Sequence, residues 1–180
     1  MIPNEYDEIR PYTPEELPQI FEELIADPEF QGAMAYAFKG VPFENIAAAM
    51  RASKDNISFQ KALVYPFLQG LLKKLSSGLT ASFENKEEMA HSLCISNHRD
   101  IILDPAITQL VLYTNGIPMT EIAVGDNLIT NKTIEWLIRS NRMIKVVRGI
   151  SARELYLSSQ LLSKYIRLNI TEQRSSIWLA

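Results

Sequence analysis

Four short apolar segments in the second half of the chain constrain the fold more than any other feature of the sequence. They occupy residues 92–96, 119–124, 143–148 and 176–180, and each of the first three is followed by an apolar pattern with helical spacing. Strands that alternate with helices usually pair in parallel, because each helix carries the chain back to the start of the next strand. The sequence therefore predicts an α/β fold with a mostly parallel sheet flanked by helices.

The first half of the chain shows only helical patterns. The longest of them begins after Asp55, ends at Gly78 and contains Pro66, which should kink the helix. We therefore predict two regions. Residues 1–90 form an N-terminal helical segment that packs on the core, and residues 91–180 form the α/β region.

Composition and charge exclude some classes of protein. The chain has 180 residues, 47% of them apolar, which is ample for a packed core. Nucleic-acid-binding domains are typically basic, whereas this chain has a net charge of −3 and no basic stripe, so we expect no nucleic-acid partner. The single cysteine, Cys94, lies in an apolar segment and is predicted to be a buried thiol in a reducing compartment.

The location of the protein is predicted from two further absences in the sequence. No apolar run approaches the roughly 18 residues that cross a bilayer, and residues 1–5 lack the features of a signal peptide. We therefore expect a cytoplasmic protein. Peripheral membrane contact is the alternative, because Lys73 and Lys74 lie among leucines and could touch an acidic surface, although a solvated helix face is the simpler explanation for two lysines.

A cluster of polar residues follows the first predicted strand. Residues 97–104, with the sequence NHRDIILD, place an imidazole and two carboxylates directly before a helix that Pro105 is expected to open. Ligands collect at the carboxyl ends of strands in open α/β sheets, and histidine has the pKa best suited to a general base near neutral pH. The sequence therefore predicts that His98 transfers a proton, with Asp104 or Asp100 as its partner.

These residues also have purely structural interpretations. Asp104, directly before Pro105, fits a helix N-cap, and Asp100 fits a turn. An imidazole with two carboxylates could also hold a divalent metal ion. We predict no metal site, because no second cluster of His or Cys supplies the remaining ligands.

Residues 97–104 resemble the first signature block of the glycerolipid acyltransferases, the family of glycerol-3-phosphate and 1-acylglycerol-3-phosphate acyltransferases. Enzymes of that family pair a His with an Asp and move a fatty acyl group from a thioester to a hydroxyl. The family usually has one residue fewer between the two than the five that separate His98 from Asp104 here. Asp104 is nearest to the family position, and Asp100 stays open as the alternative partner.

A second resemblance lies downstream. Residues 125–128 (GDNL) and 143–149 (MIKVVRG) are similar to the second block of the family, which joins a glycine to a hydrophobic run that ends in Arg. The resemblance implies that Arg148 binds the phosphate of the substrate, and a planar guanidinium suits that role because it can make bidentate contacts. Asn97 and Arg99 are further candidates for substrate binding.

The third block of the family, a Glu-Gly pair with a nearby Arg, is absent. The sequence ends at residue 180, inside the fourth predicted strand, so we expect the α/β region to be incomplete.

Taken together, the two blocks imply an acyltransferase that moves a fatty acyl group from a thioester of coenzyme A or acyl carrier protein to a glycerophosphate-type acceptor. His98 is the expected general base, the donor and the acceptor are the expected partners, and no cofactor is expected. The lack of a Gly-x-Ser-x-Gly motif is consistent with direct attack by the acceptor. The alternative is a non-catalytic fragment that binds an acyl group or a phospholipid, because the third block is missing.

Overall fold

The computed structural model describes residues 4–148, 151–172 and 174–179. Within them, four strands form one all-parallel sheet: β1 (Leu93–Ile95), β2 (Glu121–Gly125), β3 (Met143–Val146) and β4 (Ile177–Leu179). The predicted α/β fold with a parallel sheet and N-terminal helices is confirmed.

Helices fill most of the remaining chain. Those before the first strand are α1 (Leu17–Ala26), α2 (Pro28–Ala37), α3 (Phe43–Ala52), α4 (Asn56–Phe59) and α5 (Tyr65–Leu75). Those that follow β1, β2 and β3 in turn are α6 (Leu103–Thr114), α7 (Lys132–Ser140) and α8 (Ala152–Thr171). No helix within the described residues combines the length and the apolar character that crossing a bilayer requires.

The predicted kink at Pro66 coincides with a change in helix type. A π-helical turn, Gln60–Val64, joins α4 to α5, and Pro66 is the second residue of α5. Proline lacks an N–H group, and its ring crowds the carbonyl of the residue four positions earlier, here Ala62. A wider turn accommodates that conflict without ending the helical segment.

The order of strands in the sheet is β1-β4-β2-β3, so the last strand in the chain lies between the first two. Trp178 of β4 is in register with Cys94 on one side and with Ile122 on the other. Since all four strands are parallel, their carboxyl ends share one end of the sheet. The polar residues that follow β1, β2 and β3 therefore lie at that end, as the sequence predicted.

Two compact units make up the described chain. The unit that contains the sheet consists of Met1–Arg10, Thr80–Ile129 and Met143–Ala180, and the other consists of Pro11–Leu79 and Thr130–Arg142. Neither unit is a single continuous stretch, because α7 belongs to the same unit as α1 to α5. The domain boundary predicted at residue 90 stays a prediction.

The sheet unit has a buried core on which β3, β4 and α8 converge. Ile144 and Ile177 are fully buried and form a cluster with Tyr165 of α8, whose ring lies 5.2 Å, centroid to centroid, from that of Tyr6. The Tyr165 hydroxyl donates a hydrogen bond of 2.7 Å to the carboxylate of Glu121 in β2, so this buried acid has a partner. These contacts fix β2, β3 and β4 relative to α8.

The second unit is a helical bundle with its own core. Its largest fully buried side chains include Phe21, Phe30 and Phe59. Asp27 caps α2 by accepting hydrogen bonds from two backbone N–H groups and also accepts one of 2.6 Å from the hydroxyl of Thr133 in α7. That bond ties α7 to the start of α2 within this unit.

Candidate active site

The loop between β1 and α6 is organised by the carboxylate of Asp100. Its Oδ1 atom accepts hydrogen bonds from the backbone N–H groups of Ile102, at 2.9 Å, and Leu103, at 2.7 Å. The first N–H groups of a helix have no partner within the helix, and Asp100 supplies one for Leu103, the first residue of α6, and another for Ile102 directly before it. The helix begins at Leu103. The sequence pattern predicts this start two residues later, at Pro105.

Asp104 lies in the first turn of α6 and faces back toward the loop. Its Oδ2 atom accepts hydrogen bonds from the backbone N–H groups of Arg99, at 2.5 Å, and Asp100, at 2.8 Å. The same oxygen lies 3.3 Å from Nδ1 of His98. The structural interpretation of Asp104 as an N-cap is therefore wrong, because Asp100 performs the capping and leaves Asp104 to bind the loop and the imidazole.

The early start of α6 explains how the longer spacing between His98 and Asp104 is accommodated. Five residues separate the two, but the last of them, Leu103, is already helical. A helix rises about 1.5 Å per residue, less than half the rise of an extended chain, so the extra residue adds little distance. The structure brings His98 and Asp104 together, whereas Asp100 is engaged in capping. The chemical roles of the three residues stay predictions.

Hydrogen bonds from backbone N–H groups lower the pKa of both carboxyls. The N–H groups of Asp100 and Arg99 lower the pKa of Asp104 below the usual aspartate value, and nearby His98 lowers it further. The N–H groups of Leu103 and Ile102 likewise lower the pKa of Asp100. Asp104 is therefore a carboxylate at neutral pH, which is the form that can stabilise a positively charged imidazolium.

The side chain of His98 is partly exposed to solvent. Its side chain is 34% exposed and that of Asp104 is 30% exposed. Nδ1 faces Asp104, and no group among residues 4–148, 151–172 and 174–179 hydrogen-bonds to Nε2. One imidazole nitrogen is thus oriented by a carboxylate while the other is open to a ligand.

The imidazole also contacts an aromatic ring that the sequence analysis did not select. The rings of His98 and Trp178 have their centroids 6.2 Å apart and their planes at 76°, an edge-to-face arrangement. Trp178 lies in β4, which is 80 residues away in sequence but adjacent to β1 in the sheet. No local pattern could have revealed the contact, because it depends on the strand order.

Arg148 lies after β3, at the far edge of the sheet from β1. Its backbone N–H donates a hydrogen bond of 3.0 Å to Oδ1 of Asp126. A methyl group placed on Gly125 would lie 3.1 Å from Nε of Arg148 and 3.3 Å from its Cδ, so the side chain passes over Gly125 at the end of β2. Asp126 begins a 3₁₀ turn, Asp126–Leu128, and its carboxylate thus binds the backbone of Arg148 from the end of β2.

The strand order separates Arg148 from His98. β1 and β3 are three strand intervals apart, which corresponds to about 14 Å. The side chain of Arg148 passes over β2, which lies between β3 and β1 in the sheet. Its guanidinium is therefore closer to His98 than the strand spacing alone would place it. Of the other predicted substrate-binding residues, Asn97 and Arg99 are both exposed on the loop that carries His98.

A cluster able to bind a metal ion is not found in the part of the chain that the structure describes. There, no three side chains of His, Cys, Asp or Glu are grouped so that they could hold an ion.

Comparison with known proteins identifies the family. The acyltransferase family model matches residues 80–180, more than half of the chain, and the chain belongs to that family. The matched region contains all four strands, the His98–Asp104 pair and Arg148. Neither a curated protein nor a solved structure matched the chain.

The lowered pKa of Asp100 predicts a pH-dependent contribution to stability. A carboxyl whose folded pKa is depressed stabilises the fold fully above its unfolded value, about 3.9, and loses that contribution as the pH falls through the folded value. Asparagine caps helices about as well as aspartate but has no charge to lose. The melting temperature of the Asp100→Asn variant should therefore fall below that of the wild type at pH 7, and the difference should shrink as the pH approaches 3. A difference that stays constant across this range would contradict the assignment.

Proposed function

We propose that this protein transfers a fatty acyl group from a thioester of coenzyme A or acyl carrier protein to the hydroxyl of a glycerophosphate-type acceptor. The observation that carries the proposal is the pairing of His98 with Asp104 at the carboxyl end of β1, within the region that matches the acyltransferase family. The glycerolipid class of substrate is supported by the signature blocks that contain His98 and Arg148.

The proposed reaction needs one proton acceptor, and His98 is suited to that role. Nε2 takes the proton of the acceptor hydroxyl while the hydroxyl oxygen attacks the thioester carbonyl carbon. The resulting tetrahedral intermediate collapses with cleavage of the C–S bond, and the departing sulfur takes the proton from Nε2. An ester and a free thiol are formed, and the imidazole returns to its neutral form.

Asp104 has the properties of an orienting carboxylate in this scheme. A carboxylate that faces Nδ1 selects the tautomer whose proton is on Nδ1, so the lone pair of Nε2 points away toward the substrate. It also stabilises the imidazolium that forms during attack. The two backbone N–H bonds to Oδ2 hold the carboxylate in place before the substrate arrives.

Apolar side chains beside the pair are consistent with a fatty acyl substrate. Ile101 and Ile102, in the same loop, are 59% and 69% exposed, and Ile95 at the end of β1 is 75% exposed. Three exposed isoleucines within eight residues form a surface that an acyl chain would shield from water. The same surface would allow a peripheral contact with a membrane.

Arginines on two sides of the proposed site could bind the acceptor phosphate. Arg148 passes over the end of β2 toward the centre of the sheet, and Arg99 neighbours His98 in the loop. Among the two, Arg148 is better placed, because the Asp126 carboxylate holds its backbone and Gly125 leaves room for its side chain. A phosphate bound there would direct the glycerol hydroxyl toward β1.

The role of His98 is tested by a matched pair of substitutions, since the chain has two histidines. His98→Asn should lower kcat on the order of 10³-fold with little change in KM, because the base is lost while the binding groups remain. His91→Asn is the control, because His91 is exposed and has a positive φ of 57°, which asparagine tolerates. Thiol release from acyl-CoA in the presence of glycerol 3-phosphate measures turnover. Undiminished turnover in the His98→Asn variant would overturn the proposal.

The choice between the two aspartates is tested in the same assay. Asp104→Asn should lower kcat on the order of 10²-fold or more, since a neutral amide cannot stabilise the imidazolium and can favour the wrong tautomer. Asp100→Asn should stay within a few-fold of the wild type, because asparagine preserves the cap of α6. If the effects were reversed, Asp100 would be the partner of His98.

The part played by Gly125 can be tested through the acceptor. The added methyl of Gly125→Ala would clash with Oδ1 of Asn127 and lie 3.1 Å from Nε of Arg148, so both side chains must move. We expect KM for glycerol 3-phosphate to rise about 10-fold, the cost of misplacing one charge-assisted contact, while KM for the thioester is unchanged. Gly70→Ala is the control, because a Cβ there meets no atom within 4 Å. Equal KM values in the two variants would show that Arg148 does not bind the acceptor.

A further inference from the structure

Trp178 is the one described aromatic residue in ring contact with the proposed base. The indole and the imidazole meet edge to face, with centroids 6.2 Å apart, within the range of a stabilising aromatic pair. Trp178 itself is only 3% exposed, whereas the His98 side chain is 34% exposed. The contact thus joins an accessible side chain of a loop to the interior of the sheet.

The position of Trp178 is fixed by the sheet on both sides. Its strand, β4, pairs with β1 through Cys94 and with β2 through Ile122. The preceding residue, Ile177, is fully buried in the core of the sheet unit. A buried side chain on such a strand has little conformational freedom, so the indole offers His98 a rigid surface to pack against.

His98, in contrast, has few constraints of its own. Its ring has one polar contact among the described residues, the 3.3 Å approach of Nδ1 to Asp104, which is at the long end of hydrogen-bond distances. A single contact at one atom leaves the imidazole free to swing about that atom. A second contact on the ring would restrict this motion and favour one direction of Nε2.

We propose that Trp178 is a positioning residue for His98, holding the imidazole plane so that Nε2 faces the substrate while Nδ1 faces Asp104. This inference rests on the proposed function, because it assigns Trp178 a role in the reaction for which His98 is the base. Trp178 touches His98 and is not itself a catalytic residue. Its removal should lower kcat through misorientation of the base and leave substrate binding largely unchanged.

The experiment compares Trp178→Phe, which keeps an aromatic ring, with Trp178→Leu, which keeps only apolar volume. We expect kcat to fall about 10-fold in the leucine variant, with both KM values within two-fold of the wild type, and to recover most of the loss in the phenylalanine variant. Trp136→Leu is the matched control, because Trp136 is the only other tryptophan and lies in the other compact unit. It should leave kcat unchanged.

A spectroscopic readout separates positioning from packing. In the wild type labelled with ¹⁵N at histidine, nuclear Overhauser effects should connect the ring protons of His98 to those of Trp178, and Nδ1 should carry the proton. In the leucine variant, the His98 signals should shift and show mixed tautomers, while the His91 signals stay unchanged. In the phenylalanine variant, the wild-type tautomer should persist, and this variant decides the matter if the leucine variant does not fold.

Three results would overturn the inference. These are a missing Overhauser contact in the wild type, an unchanged kcat in a folded leucine variant, or equal losses in both variants with unaltered His98 signals. Each of them is distinguishable from failure of the proposed function. That failure would appear as full turnover in His98→Asn, whatever the state of Trp178.

Discussion

A single oxygen atom, Oδ2 of Asp104, determines the geometry of the proposed site. Two backbone N–H groups of the preceding loop and Nδ1 of His98 all lie within reach of it. The two N–H bonds hold the backbone that follows His98, so the imidazole lies near the carboxylate that would stabilise its charge. Asn97, His98 and Arg99 are at the same time exposed to solvent.

The two aspartates of the loop bind different backbone N–H groups. Asp100 satisfies N–H groups at the start of α6, while Asp104 satisfies N–H groups of the loop that precedes it. Each carboxylate has its pKa lowered mainly by these bonds and less by the histidine. The negative charge near the start of α6 also suits the positive end of the helix dipole. The hydrogen bonds that order the start of α6 and its loop thus also favour an ionised carboxylate beside the proposed base.

Features that depend on residues close together in the sequence could be predicted from it. Features that depend on which distant strands are neighbours in the sheet could not. The alternation of strand and helix, the parallel sheet and the proximity of His98 to Asp104 are all local properties of the chain. The helix start was placed at Pro105 instead of Leu103, because the capping capacity of Asp100 competes with that of Asp104. The contact with Trp178 and the separation of Arg148 from His98 depend on the order β1-β4-β2-β3, which no sequence pattern encodes.

That strand order also determines when the site can exist during synthesis. β1 and β2 emerge from the ribosome long before β4, yet they are not neighbours in the finished sheet. Until β4 has been synthesised, the edges of β1 and β2 that pair with it have backbone N–H and C=O groups without partners. Contacts that join residues 84 positions apart, such as Leu93 with Ile177, form late and slowly. A nascent chain is therefore most vulnerable to mispairing just before β4 docks, when its His98 loop is already complete.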